Sequence, residues 1–171
     1  RGSVVPVFRE QIRRGGPDAA PGLASLMAQA IREGAPAYGP AERAAWLGDP
    51  GDAGKRSERI SQQAVWVAEA TDAGPVGFMT LTEEGEVDFA YILADWQGRG
   101  LFPRLIDALE REARSRGLAQ LRTFASLMAD GPFARAGFEH VHDDPVERGG
   151  VVLRRRFMVK QLREPAGGEG E

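Results

Sequence analysis

The residues best suited to chemistry lie between Asp88 and Phe102. Gln97-Gly98-Arg99-Gly100 puts two glycines in one turn, and from Leu101 the apolar spacing becomes helical. Such a turn points backbone N–H groups at whatever sits over the helix N-terminus. The partial positive charge there suits a phosphate. A glycine pair alone is a weak signal, because many strand-to-helix turns contain one. His140 and His142 alternate along an extended stretch and could share a face as proton shuttles, although packing is the commoner role. Arg154-Arg155-Arg156 reads as a nucleic-acid patch only by itself. On a strand its side chains alternate faces, and a net charge of −3 gives no drive toward nucleic acid or an anionic membrane. The chain has no cysteine, which excludes disulfides, thiolate nucleophiles and cysteine zinc sites. Two histidines are too few for a histidine-rich metal centre, so no metal is assigned.

The glycine turn needs a strand before it and a helix after it. Val87–Leu93 is a mostly apolar strand with one acid, Asp88, near its start. Leu101, Leu105, Ala108, Leu109 and Ala113 recur at helical spacing, with Gly117 placed as the stop. Upstream, Val4–Arg9 reads as a first strand. A helix capped at Asp18 runs to about Glu33, and Gly34–Pro36 ends it. Pro40 opens a second helix through Leu47. Gly48–Lys55 is a loop on composition, and Arg56–Gln63 suggests one or two helical turns. Ala64–Ala70, Pro75–Thr82 and Val87–Leu93 form an antiparallel meander joined by tight turns, with Glu84 and Glu86 as turn residues. A helical crossover then makes Leu121–Ser126 parallel to Val87–Leu93. Ala129–Ala136 is a short helix. Phe138–His142 and Val151–Leu162 are closing strands around a turn at Asp143–Gly150. This predicts one α/β domain over residues 4–162 and a glycine- and glutamate-rich disordered tail over 163–171. No apolar run approaches the ~20 residues of a membrane span. No signal-peptide core is apparent, and with no cysteine a cytoplasmic protein is expected.

Five segments carry a family resemblance. Ile92-Leu93-Ala94-Asp95-Trp96-Gln97-Gly98-Arg99-Gly100 joins an apolar strand end to a glycine turn. Pro132-Phe133-Ala134-Arg135-Ala136-Gly137-Phe138-Glu139 places an aromatic residue before Gly-Phe. Val151–Leu162, Ala37–Leu47 and Thr123–Phe133 add to the match. In this order the chain resembles the Gcn5-related N-acetyltransferase (GNAT) superfamily, and in particular a bacterial acetyltransferase subgroup. The resemblance spans roughly Val4 to Leu162. It implies a mixed, mostly antiparallel sheet of about six to seven strands, with a parallel pair at the cofactor cleft and about four flanking helices. It also implies acetyl-CoA as donor and direct transfer of the acetyl group to a primary amine of a small molecule, with no covalent enzyme intermediate.

The resemblance further implies roles. The backbone of Tyr91, Ile92 and Leu93 would pair with the pantetheine arm. The amides of Gln97, Gly98, Arg99, Gly100, Leu101 and Phe102 would hold the pyrophosphate. An N–H near Ile92 would face the thioester oxygen. Asp88 would be the general base, directly or through water. Ser126 and Phe133 would flank the cofactor. Tyr38 and Phe78 would contact the acceptor, with core packing as the competing role of Phe78. A homodimer is common in the family. Three departures stand out. Phe102-Pro103 replaces a small residue and an amide donor beside the pyrophosphate. Phe133 stands where a tyrosine often protonates the leaving thiolate. Ser126 replaces a common asparagine. These favour an alternative: a GNAT-fold module that binds coenzyme A or senses a ligand with weak or no catalysis.

Overall fold

The structure, a computed structural model, describes residues 10–33, 38–49 and 51–163. Its strands are β1 (Glu10–Gly15), β2 (Ala64–Ala70), β3 (Gly74–Leu81), β4 (Glu86–Ile92), β5 (Gln120–Ser126), β6 (Glu139–Asp143), β7 (Val146–Arg148), β8 (Val151–Leu153) and β9 (Arg155–Gln161). Its α-helices are α1 (Ala20–Glu33), α2 (Pro40–Leu47), α3 (Asp52–Ser61), α4 (Leu101–Ser115) and α5 (Asp130–Arg135). Seven strands form one sheet in the order β1-β2-β3-β4-β5-β9-β6, and β7 and β8 form a separate hairpin. Every pairing in the large sheet is antiparallel except β4 with β5. That parallel pair follows from the α4 crossover, as the sequence implies.

The sheet is covered on both faces. Leu101, Leu105, Ile106, Leu109 and Ala113 recur along one stripe of α4 and are buried against β2, β3 and β5. Leu23, Met27, Ile31 and Ile60 of α1 and α3 cover the opposite face, over Val65, Val67, Phe78 and Phe89. Each large apolar side chain buried this way contributes roughly 1.5–3 kcal/mol, which holds the helices to the sheet more firmly than helix propensity does.

Two expectations are corrected, and three fall outside the described residues. The strand expected at Val4–Arg9 lies outside the described residues, as do the helix stop at 34–36 and the tail from 164. A strand is present over Glu10–Gly15, which carries no apolar alternation. Among the described residues it is an edge strand, and its charges are answered from β2 and α4: Arg13 pairs with Glu69, and Arg14 forks onto Glu112 at 2.9 Å. The loop expected over Gly48–Lys55 is shorter, because α3 begins at Asp52. The expected strand Val151–Leu162 breaks at Arg154, because its first residues turn back against β7.

The feature that positions the site is in β4. Met79 pairs with Ala90 and Leu81 with Val87, so Thr80 alone faces both Asp88 and Phe89. This is a β-bulge. The fully buried Thr80 Oγ1 accepts the displaced Phe89 N–H at 3.1 Å. An extra residue bends and twists its strand. At the same point β4 parts from β5. The two pair only at Glu86–Arg122 and Val87–Thr123, and Thr123 Oγ1 donates to the Val87 carbonyl at 2.9 Å. Beyond this vertex the strands diverge into a cleft.

Candidate active site

One cavity of about 660 Å³ opens on the α4 side of the cleft. Its walls come from Tyr91 and Ile92 at the free edge of β4, the turn at Gln97, Gly98 and Gly100, and the first turn of α4. Gly98 and Gly100 have φ of +76° and +81°, and a Cβ built on either would meet no heavy atom within 4 Å. Side chains rarely adopt that backbone. Here it also leaves the turn facing open space. Gln97 Nε2 donates to the Ile92 carbonyl at 3.2 Å, tying the turn to the strand end. The helix starts at Leu101, so Leu101 and Phe102 present first-turn N–H groups with no acceptor in the helix. Pro103, the third residue of that turn, has no N–H to present.

Phe102 does not close this space. Its ring packs edge-on against Phe133, with centroids 5.0 Å apart and planes at 86°. Phe133 in turn packs against Phe138 at 4.9 Å and is almost fully buried. The bulky residue therefore extends an aromatic cluster rather than filling the turn. Three expected contacts stand aside: Leu93, Arg99 and Phe133 do not line this cavity. The Leu93 N–H goes to Val76 at 2.9 Å, and the Arg99 guanidinium lies over the Trp96 ring at 4.4 Å.

A second cavity of about 320 Å³ lies on the α1–α3 side, and the two share Ala90, Tyr91, Ser126 and Ala129. The bulge directs Asp88 into it from β4, and Glu86 stands one alternation earlier. Asp88 is fully engaged. Arg59 Nε and Gln63 Nε2 donate to Oδ2 at 2.7 and 2.6 Å, and Arg59 Nη2 donates to Oδ1. Its side chain is 7% exposed. Glu86 has no salt-bridge partner among the described residues. Burial pushes its carboxyl above the usual range, and the nearby charge of Asp88 pushes the same way. Read from sequence as a turn residue, Glu86 is the uncommitted acid of the site.

Two residues that line both cavities carry hydroxyls. Ser126 Oγ accepts the Met128 N–H at 3.3 Å and keeps its own proton to donate. The Tyr91 hydroxyl accepts Trp46 Nε1 at 3.1 Å, and burial pushes it up to about 12, so it stays protonated at neutral pH. Trp46 gave no signal in the sequence beyond its place on an amphipathic helix. The remaining two expected contacts lie elsewhere. Phe78 is fully buried between Phe89 and Tyr91 and lines neither cavity. Tyr38 is buried and also lines neither. Its hydroxyl donates to the Arg154 carbonyl at 2.7 Å and accepts the Leu127 N–H at 2.8 Å. It therefore clamps the start of α2 to the end of β5 and to the break between β8 and β9. Burial of that hydroxyl raises its pKa.

Residues 35–158 match the family model described as an acetyltransferase (GNAT) domain. No curated protein matches the chain. Among solved structures, a GCN5-related N-acetyltransferase from Rhodopseudomonas palustris is 30% identical and superimposes with a TM-score of 0.81, covering 91% of this chain and 98% of that one. The yncA protein of Salmonella typhimurium, solved with its cofactor acetyl-CoA, is 20% identical with a TM-score of 0.67, covering 92% and 96%. The PaiA N-acetyltransferase of Thermoplasma acidophilum, solved with coenzyme A, is 16% identical with a TM-score of 0.66, covering 90% and 99%. The last two likenesses speak to the fold. With the splayed parallel pair, the glycine turn over α4 and the match across most of its length, the chain belongs to the GNAT acetyltransferase superfamily.

Proposed function

We propose that the protein is an acetyl-CoA-dependent N-acetyltransferase acting on a primary amine of a small molecule. One observation carries the reading: the bulge and splay of β4 open two cavities that meet at Ala90, Tyr91 and Ser126. The larger cavity fits the donor. Its open glycine turn and first-turn amides suit a pyrophosphate, and the unpaired edge of β4 suits an extended pantetheine amide chain. Acetyl-CoA, bound there, supplies an acetyl thioester for direct attack, and with no cysteine the chain has no thiol to carry the group itself. The smaller cavity then receives the amine.

The amine must lose a proton to attack. Asp88 is nearer the shared wall by two strand residues, about 7 Å. Its oxygens, however, are held by Arg59 and Gln63. Glu86 has no ion pair among the described residues, and burial holds its carboxyl above the usual carboxylate range, which makes it the stronger base of the two. We assign proton acceptance to Glu86 through bridging water, and to Asp88 the positioning of Arg59. Phe133, which lines the smaller cavity, has no proton to give. Ser126 can hydrogen-bond the departing sulfur instead, and a thiol of pKa about 8.5 needs limited help to leave.

The buried ring of Phe133 favours the second reading, a coenzyme A-binding module of little catalytic activity. Calorimetric titration with acetyl-CoA, followed by thiol release against a panel of amines, separates the two. Binding with turnover supports the enzyme. Binding without turnover for any amine supports the module. No binding at millimolar acetyl-CoA removes both.

A further inference from the structure

The smaller cavity has a polarity that the transfer of an acetyl group to an amine does not require. Its acids on β4 are Glu86 and Asp88. Facing them, α3 brings Lys55, Arg56 and Arg59, while Arg148 comes from β7 and Arg155 from β9. The only other carboxylate on the wall is Asp52. Five cations thus meet three acids, and most of those acids are already committed. Asp88 is forked by Arg59. Asp52 accepts the Asp49 N–H at 2.8 Å and stands 3.8 Å from Lys55. Arg155 is answered from outside the cavity by Asp144 at 2.6 Å.

Arg56 and Arg148 are left over. Arg56 Nη1 donates to the Leu47 carbonyl at 2.8 Å, but its buried Nε has no hydrogen-bond partner. Arg148 makes no ion pair among the described residues. Arg56 is half-buried, and its unmet Nε is costly because it has lost water and gained no partner, whereas Arg148 is exposed and adds an unpaired positive charge to the rim of the cavity. A buried donor left unmet in a cavity wall calls for an explanation, and a bound anion supplies one. A simple alkylamine would bring a further positive charge into this surplus. An amine that also carries a carboxylate or phosphonate would match both ends, its nitrogen toward Glu86 and its anion toward the arginines.

We infer that the acceptor is a small amine bearing an anionic group, held at that group by Arg56 and Arg148. The inference rests on the acetyltransferase reading for its chemistry but not for its binding test. Titration calorimetry of the full chain compares 4-aminobutanoate and 2-aminoethylphosphonate with n-butylamine and 1,4-diaminobutane, and thiol release with acetyl-CoA is measured for the same four. A charged hydrogen bond contributes about 1.5–3 kcal/mol, so at least one anionic amine is expected to bind about tenfold or more tightly than n-butylamine. Arg148→Gln, on an exposed strand that tolerates change, is expected to remove most of that preference and to raise KM for the anionic amine with kcat and acetyl-CoA affinity unchanged. Arg56→Gln is expected to act in the same direction.

Equal or tighter binding of n-butylamine or 1,4-diaminobutane overturns the inference, as does a preference that survives both variants. Turnover separates this failure from failure of the enzymatic reading. Transfer to uncharged amines in preference leaves an acetyltransferase and removes the anion site. Arginine-dependent binding of the anionic amines without any thiol release keeps the anion site and removes the enzyme.

Discussion

On the α4 side of β4, the cavity is walled largely by main chain. A glycine turn, the amides of one helical turn and the free edge of a strand would make the contacts there, and the side chains serve mainly by staying clear. On the α3 side, the wall is made of side chains from α2, α3, β4, β5 and the β7–β9 segment, and its character is set by which charge faces which. One strand serves both because the bulge at Asp88 and Phe89 changes which residues face each way. Main-chain recognition reads a constant chemical unit, and side-chain recognition reads a variable one. A donor cavity of the first kind can persist through sequence change while the acceptor cavity drifts.

That contrast can be broken by substitution, and the largest effect is expected at the acceptor side. Glu86→Gln should lower kcat/KM by about 10²–10⁴-fold, the usual range for a general base, and leave acetyl-CoA affinity unchanged by calorimetry. The wild-type rate should climb with pH through a carboxyl displaced above the ordinary range by burial, and the variant should lose that limb. If Asp88→Asn removes the limb while Glu86→Gln is silent, the base is Asp88 after all. Otherwise Asp88→Asn should act mainly on KM, by releasing Arg59.

Next in size is Phe78→Ala. A fully buried phenylalanine typically loses about 3–5 kcal/mol on truncation, so thermal unfolding should shift strongly while KM of the folded protein stays the same. A changed KM at full stability would return Phe78 to the acceptor wall. On the donor side, Gly98→Val should cost about 1–3 kcal/mol in strain and clutter at the turn, read as a roughly tenfold or greater loss of acetyl-CoA affinity. Equal affinity would mean that the main-chain turn is not what holds the donor.

The smallest effect on activity is expected far from both cavities. Arg14 and Trp66 donate to Glu112, and the hydrogen bonds from Arg14 are the main reason its carboxyl sits at about 2. A carboxyl lowered by folding stabilises the fold above the ordinary carboxylate range, and that contribution fades as pH falls toward 2. Glu86 has the opposite sign: its raised pKa favours the fold at low pH, an advantage lost as pH rises through it. Glu112→Gln should therefore cost roughly 1–2 kcal/mol in denaturant titrations at neutral pH, less at pH 3, and nothing in kcat.

The same division explains what could be read from the chain. The strand, turn and helix from Val87 to Gly117 were legible because glycine spacing and an apolar stripe are local signals. The parallel pairing of β4 with β5 followed from the crossover. Pro40 marked the start of α2. The α3 side was not legible. α3 begins in GDAGK-like sequence that composition assigns to a loop, and it buries only Ile60, so tertiary contacts rather than propensity define it. Aromatic identity could not tell that Tyr38 clamps two strand ends or that Phe78 faces inward. Nothing in Val-Asp-Phe-Ala-Tyr-Ile announces a bulge, because the residue that receives it, Thr80, lies on another strand.

That bulge sets folding and activity against each other. A chain shortened by one residue at position 88 or 89 could pair with Thr80 in regular register, and β4 would lose the bend that carries it away from β5. More of the ladder would close, and the sheet would gain hydrogen bonds. The same repair would shut both cavities. Selection for a more stable protein and selection for a working one should diverge at this one inserted residue.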